Sequence, residues 1–187
     1  MLNQTNRKIS KDRKSDVLIH RDGGQITFLQ EGIDEEGAYL IVEHIIKKRG
    51  AINGPHWHPH LSETFTIQEG TMRFLVDKEE FICESGDRII IEPTQVHQFW
   101  NISEGQLKVK HEIRPPGRHR EMFEMLHQLE SAGKMNSKGI PTNPLWLGLL
   151  WETMDGYIVG PPKSMQKFFF GGLAKAARIL GYVKDKK

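Results

Sequence analysis

The sequence predicts an all-β barrel or sandwich over residues 25–116, preceded by a tail (1–24) and followed by a helical extension (117–187). Three observations predict it. Short β-branched and aromatic runs recur between turn signals from Gln25 to Pro115. Several of these runs alternate with period two, as half-buried strands do. After Pro115-Pro116-Gly117 the apolar spacing changes to three and four, the helical interval.

Taken in order, residues 1–24 read as tail and turn, closing on Asp22-Gly23-Gly24. Strands are expected at Gln25–Gln30, Ala38–Lys47, Glu63–Glu69, Thr71–Asp77, Glu79–Glu84, Arg88–Ile91, His97–Asn101 and Gln106–Arg114. Glu63, Phe65 and Ile67 share one face of the third strand, and Leu107, Val109, His111 and Ile113 share one face of the last. Asp77-Lys78 suits a hairpin turn. Met122, Phe123, Leu126 and Leu129 mark a first helix that Gly133 ends. Pro144 opens a second, to about Met154, and Pro161-Pro162 a third, up to Gly181. The third helix sets Lys163, Lys167, Lys175 and Arg178 around Phe168–Phe170 and Leu173. It is expected to pack on the barrel or a dimer partner rather than lie on a membrane surface.

The chain has 187 residues, room for one domain and an appendage. Its 26 Lys and Arg against 24 Asp and Glu leave a net charge of +2. Such a balance argues against a nucleic-acid partner, which needs a concentrated basic face. The basic residues at the start, Arg7, Lys8, Lys11, Arg13 and Lys14, read as part of a solvated tail. The single cysteine, Cys83, rules out an intramolecular disulfide and suits a reducing compartment. The polar N-terminus has no apolar core of a signal peptide, and no run reaches the roughly 18 apolar residues of a spanning helix. A cytoplasmic protein is the expectation.

His56-Trp57-His58 carries the chemistry. On an extended segment residues two apart point the same way, so both imidazoles reach one point. Glu63 leads the inward face of the next strand and adds a carboxylate. That makes a two-His-one-carboxylate set suited to a divalent first-row metal with open positions. His97 begins another alternating strand with Phe99 on the same face.

The spacing resembles a family. Gly50, His56, His58, Glu63 and Gly70 fit the first cupin motif, G(x)5HxH(x)4E(x)6G, in full. Gly86, His97 and Asn101 match the second, G(x)5PxG(x)2H(x)3N, with Glu92 and Thr94 where Pro and Gly are usual. The resemblance implies a double-stranded β-helix (jelly-roll, cupin) barrel with turns at Gly50, Gly70 and Gly86. It also implies that His56, His58, Glu63 and His97 bind one divalent transition metal, whether Fe, Mn, Ni, Cu or Zn. The C-terminal third looks like the helical extension of some small stand-alone cupins. His60, Phe65, Met72, Phe74, Phe99 and His111 are expected around the ligands or lining the pocket, with His44 a further inward candidate.

These readings favour a metal-dependent enzyme acting on a small molecule, with a dioxygenase-like oxidoreductase ahead of the alternatives. Those are a non-catalytic cupin that binds a sugar or carboxylate, and a metal-dependent isomerase or decarboxylase. A weaker third possibility is an interaction protein acting through its C-terminal helices. A homodimer is the expected assembly.

Overall fold

Eleven short or medium strands lead into three helices in the computed structural model, which describes residues 17–182. The first strands are β1 (Val17–Ile19), β2 (Gln25–Asp34), β3 (Gly37–Ile46), β4 (Gly50–Ala51) and β5 (His56–Trp57). Then come β6 (Ser62–Glu69), β7 (Thr71–Val76), β8 (Glu79–Glu84), β9 (Arg88–Ile91), β10 (His97–Asn101) and β11 (Leu107–Arg114). Helix α1 spans His119–Ser131 and α2 Pro144–Met154; β12 (Tyr157–Ile158) precedes α3 (Lys163–Ile179). The basic residues from Arg7 to Lys14 lie outside the described residues.

Two antiparallel sheets face each other. One runs β1-β2-β3-β11-β6-β9, the other β12-β5-β10-β7-β8, with β4 also on β10. Phe65, Ile67, Leu107 and Val109 of the first sheet meet Met72, Phe74 and Phe99 of the second in one buried cluster. This is the expected β-helix barrel with a helical extension. The predicted alternation is visible in β6, where Glu63, Phe65 and Ile67 are buried, and in β11, where Leu107, Val109, His111 and Ile113 are.

Two turns show why the sequence folds this way. A single residue, Gly70, separates β6 from β7, yet the two strands belong to opposite sheets. Its φ is +87°, and a Cβ there would sit 2.3 Å from Ser103 Oγ, so only glycine passes the chain across. Asp77 and Lys78 both take positive φ, 47° and 79°, as the two central residues of a tight hairpin between Val76 and Glu79 must.

Four strands were not expected from the sequence. β1 lies inside the segment read as tail and pairs with β2. β4, β5 and β12 are two residues each. Of these β12 matters most: it pairs antiparallel with β5, Tyr157 opposite Trp57 and Ile158 opposite His56. The helical extension is thereby stitched to the strand that bears two candidate ligands. Helix α2 packs closely on α3, where a Cβ on Gly148 would lie 2.6 Å from Leu173 Cβ. Helix α1 closes the barrel, Phe123 joining Phe28, Leu40, Val42 and Ile113.

Candidate metal centre

His56 and His58 come from β5 and the residue after it, Glu63 from β6 and His97 from β10. Antiparallel pairing sets His97 directly opposite His56. All four side chains are buried, and one ligand atom from each lies within 4.8 Å of the others.

The hydrogen bonds decide which atoms converge. His56 Nδ1 donates to the Gly54 carbonyl (2.9 Å), His58 Nδ1 to the Asp155 carbonyl (3.0 Å) and His97 Nδ1 to the Gln95 carbonyl (3.0 Å). Three tautomers are thus fixed with the proton on Nδ1, leaving each Nε2 a bare lone pair. Glu63 Oε2 sits 2.9 Å from His97 Nε2 and 3.7 Å from His58 Nε2. Yet Glu63 Oε2 and His97 Nε2, both buried, make no hydrogen bond. Donor atoms this close and mutually misaligned face a common point instead of one another. Buried polar atoms are costly without a partner, and a cation at that point satisfies them. The residues fit a divalent metal.

His111 Nε2 lies 3.0 Å from the other Glu63 oxygen, and His111 shares a 3.3 Å hydrogen bond with His44. The His111 and His97 imidazoles beside Glu63 outweigh its burial and hold the carboxyl well below the usual carboxylate range. For His97, burial is outweighed by the Glu63 carboxylate, and its pKa rises. Burial pushes His56 and His119 down to about 4 and His44 to about 3.

These shifts set a pH dependence for the metal-free protein. The unfolded chain takes up protons on these three histidines near pH 6.5, whereas the folded chain resists until about 4 or below. Their contribution is complete above 6.5 and is lost as pH falls through that window. His97 acts in the opposite sense, its contribution present at low pH and lost above its raised pKa. His58, lowered by its burial, and Glu63, held low by its imidazole neighbours, act in the same sense as those three, and within the cluster His97 alone opposes them. The melting temperature of chelator-treated protein is therefore expected to fall steadily from pH 7 to pH 4.5, and a flat or rising profile would count against the arrangement.

The cluster opens on a cavity of about 220 Å³ lined by Phe65, Met72, Phe99, His111, His44 and helix residues including Phe123. Of the residues expected around the ligands, Phe65, Met72, Phe99 and His111 line this cavity. Two expected residues do not. Phe74 is sealed in the core behind Phe65, ring centroids 5.3 Å apart, and contributes no wall. His60 is exposed, because the chain turns at Pro59, and it lines a separate surface cleft with Trp151 and Lys163. His119 was missed. It opens α1, is buried against the cavity and lies 5.6 Å, ring to ring, from His58. Its one sequence signal is the four-residue interval to Phe123, which places both on one helix face.

The second motif's departures keep their turn. Thr94 takes the left-handed region (φ 72°) where the family has glycine, and its N–H donates to the His58 carbonyl at 2.7 Å. Asp77 accepts from the Val96 N–H at 2.9 Å, which braces the turn just before His97. Gly50 and Gly86 hold positive φ at the other two turns. Asn101, fully buried, donates to the Ile46 and Lys48 carbonyls and accepts from Ser103 N–H.

The family described as a cupin domain matches residues 43–113, a span that contains all four candidate ligands. Residues 43–113 are a cupin domain. Similar solved structures include the Cnp3 cupin domain of Schizosaccharomyces pombe (15% identity, 47% of this chain and 59% of that one, TM-score 0.39). A sugar phosphate isomerase of the cupin superfamily from Silicibacter pomeroyi is also similar (16%, 49% and 59%, TM-score 0.41). So is KdgF from Halomonas sp. (15%, 52% and 84%, TM-score 0.42). The chain spans 59% of the length of each of the first two. No curated protein matches it significantly. Beyond the cupin match, the described residues contain no helix long and apolar enough to cross a membrane.

Proposed function

We propose that the cupin barrel binds one divalent transition metal through His56, His58, Glu63 and His97, and that the protein is a metal-dependent enzyme acting on a small, largely apolar molecule. Oxidoreductase chemistry of the dioxygenase type is the favoured reaction. The observation that carries this reading is the trio of imidazoles whose Nδ1 protons are tied to backbone carbonyls while Nε2 converges on the Glu63 carboxylate. Three neutral ligands and one anion suit Fe, Mn, Ni, Cu or Zn. When bound, such an ion supplies open positions where an oxidant and an electron-rich substrate can be brought together.

The chain's own residues do the rest. His111 steadies the Glu63 carboxylate from the side away from His97. Phe65, Phe99, Met72 and Phe123 exclude water and leave mainly apolar contact for a ligand. The cavity is smaller than the roughly 300–1,000 Å³ of sites that take drug-sized ligands, which favours a compact substrate. His119, held by the Pro116 carbonyl through Nδ1 (2.8 Å), keeps Nε2 free to orient a polar substituent.

The test begins with elemental analysis of purified protein. Metal-free protein is then loaded anaerobically with Fe(II), and oxygen uptake is followed over phenolic and thiol panels. Substoichiometric metal after purification and reconstitution overturns the metal site. Metal bound without uptake for any substrate, with stabilising ligands recovered unchanged, overturns the reaction and leaves a binding protein.

A further inference from the structure

Among the described residues that line the cavity, four polar side chains lie outside the proposed ligand set: Asn53, His111, His44 and His119. Their donors and acceptors can be followed one by one. Asn53 Oδ1 accepts from the Phe99 N–H (3.1 Å), and its NH2 lies 3.4 Å from His56 Nδ1. His119 Nδ1 donates to the Pro116 carbonyl, which leaves Nε2 a lone pair.

His111 and His44 form a chain. His111 Nε2 stands 3.0 Å from Glu63 Oε1, so it carries the proton, because a lone pair there would face a carboxylate oxygen. His111 Nδ1 is then an acceptor, and the 3.3 Å contact with His44 Nε2 is a hydrogen bond with His44 as donor. Burial, and after it the His111 ring, holds His44 down to about 3, so the ring is neutral and has one proton to give. With that proton on Nε2, His44 Nδ1 is bare. Among the described residues this nitrogen has no hydrogen-bond partner, and it is not sealed from solvent-sized space. The ring stands where the metal-facing cavity meets a wider neighbouring one, and lines both.

The result is one-sided. Two lone pairs, His44 Nδ1 and His119 Nε2, meet whatever enters, and Phe123 packs against both rings at centroid distances of 5.5 and 6.4 Å. A lone pair is satisfied by a hydrogen-bond donor and repels an ether, carbonyl or carboxylate oxygen. No Lys or Arg is among the described residues of the cavity wall to offset that repulsion. On the proposed metal site the ion and Glu63 together leave one positive charge, so an ammonium donor is disfavoured and a hydroxyl fits.

We propose that the substrate is a hydroxylated compound on a compact apolar frame, and that His44 Nδ1, with His119 Nε2, selects it by accepting its hydroxyl protons in hydrogen bonds. This rests on the reading of the cavity as the substrate site.

Nitrogen-resolved NMR of histidine-labelled, full-length protein separates protonated from bare ring nitrogens. His44 is expected with its proton on Nε2 and with Nδ1 bare; a proton on Nδ1 overturns the proposal. Resorcinol, with two hydroxyls, and meta-difluorobenzene, of like size with none, are then titrated by ligand-observed NMR. Parent and His44→Phe protein are compared, chelator-treated and Zn(II)-loaded. The substitution keeps an aromatic ring and removes the lone pair. It is expected to weaken resorcinol about fivefold, the order of one hydrogen bond, and to leave meta-difluorobenzene within about twofold. Equal changes for the two probes overturn the proposal, and so does a parent that binds no resorcinol. If the variant does not fold, the tautomer and the parent titration still decide. Metal content is read separately. Resorcinol bound by protein that takes up no metal keeps the hydroxyl site and removes the metal site, and metal uptake without resorcinol binding does the reverse.

Discussion

Glu63→Gln protein is expected to bind divalent metal more than about 100-fold more weakly than the parent, beyond the roughly 10–100-fold lost when only a ligand's outer partner is removed. The substitution keeps the volume of a buried side chain and removes its charge. Glu63 is the sole anion among the four candidate ligands, and its two oxygens serve different neighbours, 2.9 Å from His97 Nε2 and 3.0 Å from His111 Nε2. A glutamine offers one neutral oxygen and one NH2, and an NH2 turned toward His97 Nε2 cannot ligate a cation. The His97 pKa, raised by the carboxylate, should return toward that of a buried neutral imidazole. Competition against a chromophoric chelator measures the affinity, and histidine NMR titration measures the second effect. An affinity within about threefold of the parent would remove Glu63 from the ligand set.

Gly156→Ala is expected to weaken metal binding about 10–100-fold from a residue that touches no metal. A Cβ at position 156 would lie 2.9 Å from both Cε1 and Nδ1 of His58. The backbone of Gly156 lies outside the left-handed region, so alanine is conformationally acceptable and the conflict is with the ring alone. Swinging the ring breaks the 3.0 Å bond from Nδ1 to the Asp155 carbonyl and carries Nε2 away from Glu63. Gly148→Ala is the contrasting change. Its Cβ meets Leu173 Cβ at 2.6 Å and the Ala174 nitrogen at 2.7 Å, so it should cost about 1–3 kcal/mol of stability by separating α2 from α3. If thermal denaturation and metal titration show both variants changing the same property, the link from Gly156 to His58 is wrong.

The barrel and the position of the four-residue cluster were legible because two independent periodicities agree on them. Alternation in β6 turns Glu63 inward with Phe65 and Ile67, and the motif spacing places His56, His58 and His97 around it. Depth along the barrel is not written in alternation. Phe65 and Phe74 both face inward, but only Phe65 reaches the cavity. The turn at Pro59 is local and carries His60 outward, against the HxH rhythm that suggests it follows His58. β5 and β12 were invisible because two-residue strands have no periodicity to read. They exist only through pairing with distant stretches of chain, β5 with β10 and with β12. His119 escaped for a related reason, since what makes it part of the site is the packing of α1 over the barrel mouth.

The bond from His58 to the Asp155 carbonyl also fixes an order of events in time. All four candidate ligands leave the ribosome by residue 97, and the barrel strands by residue 114. The carbonyl that sets the His58 tautomer, and the strand that pairs with β5, come 40 or more residues later. A nascent chain arrested between these points holds the ligands without the brace that aims one of them. On the proposed metal site, high-affinity capture is therefore a late step of biogenesis, and a chain cut short by degradation or stalled translation is expected to release metal more readily than finished protein.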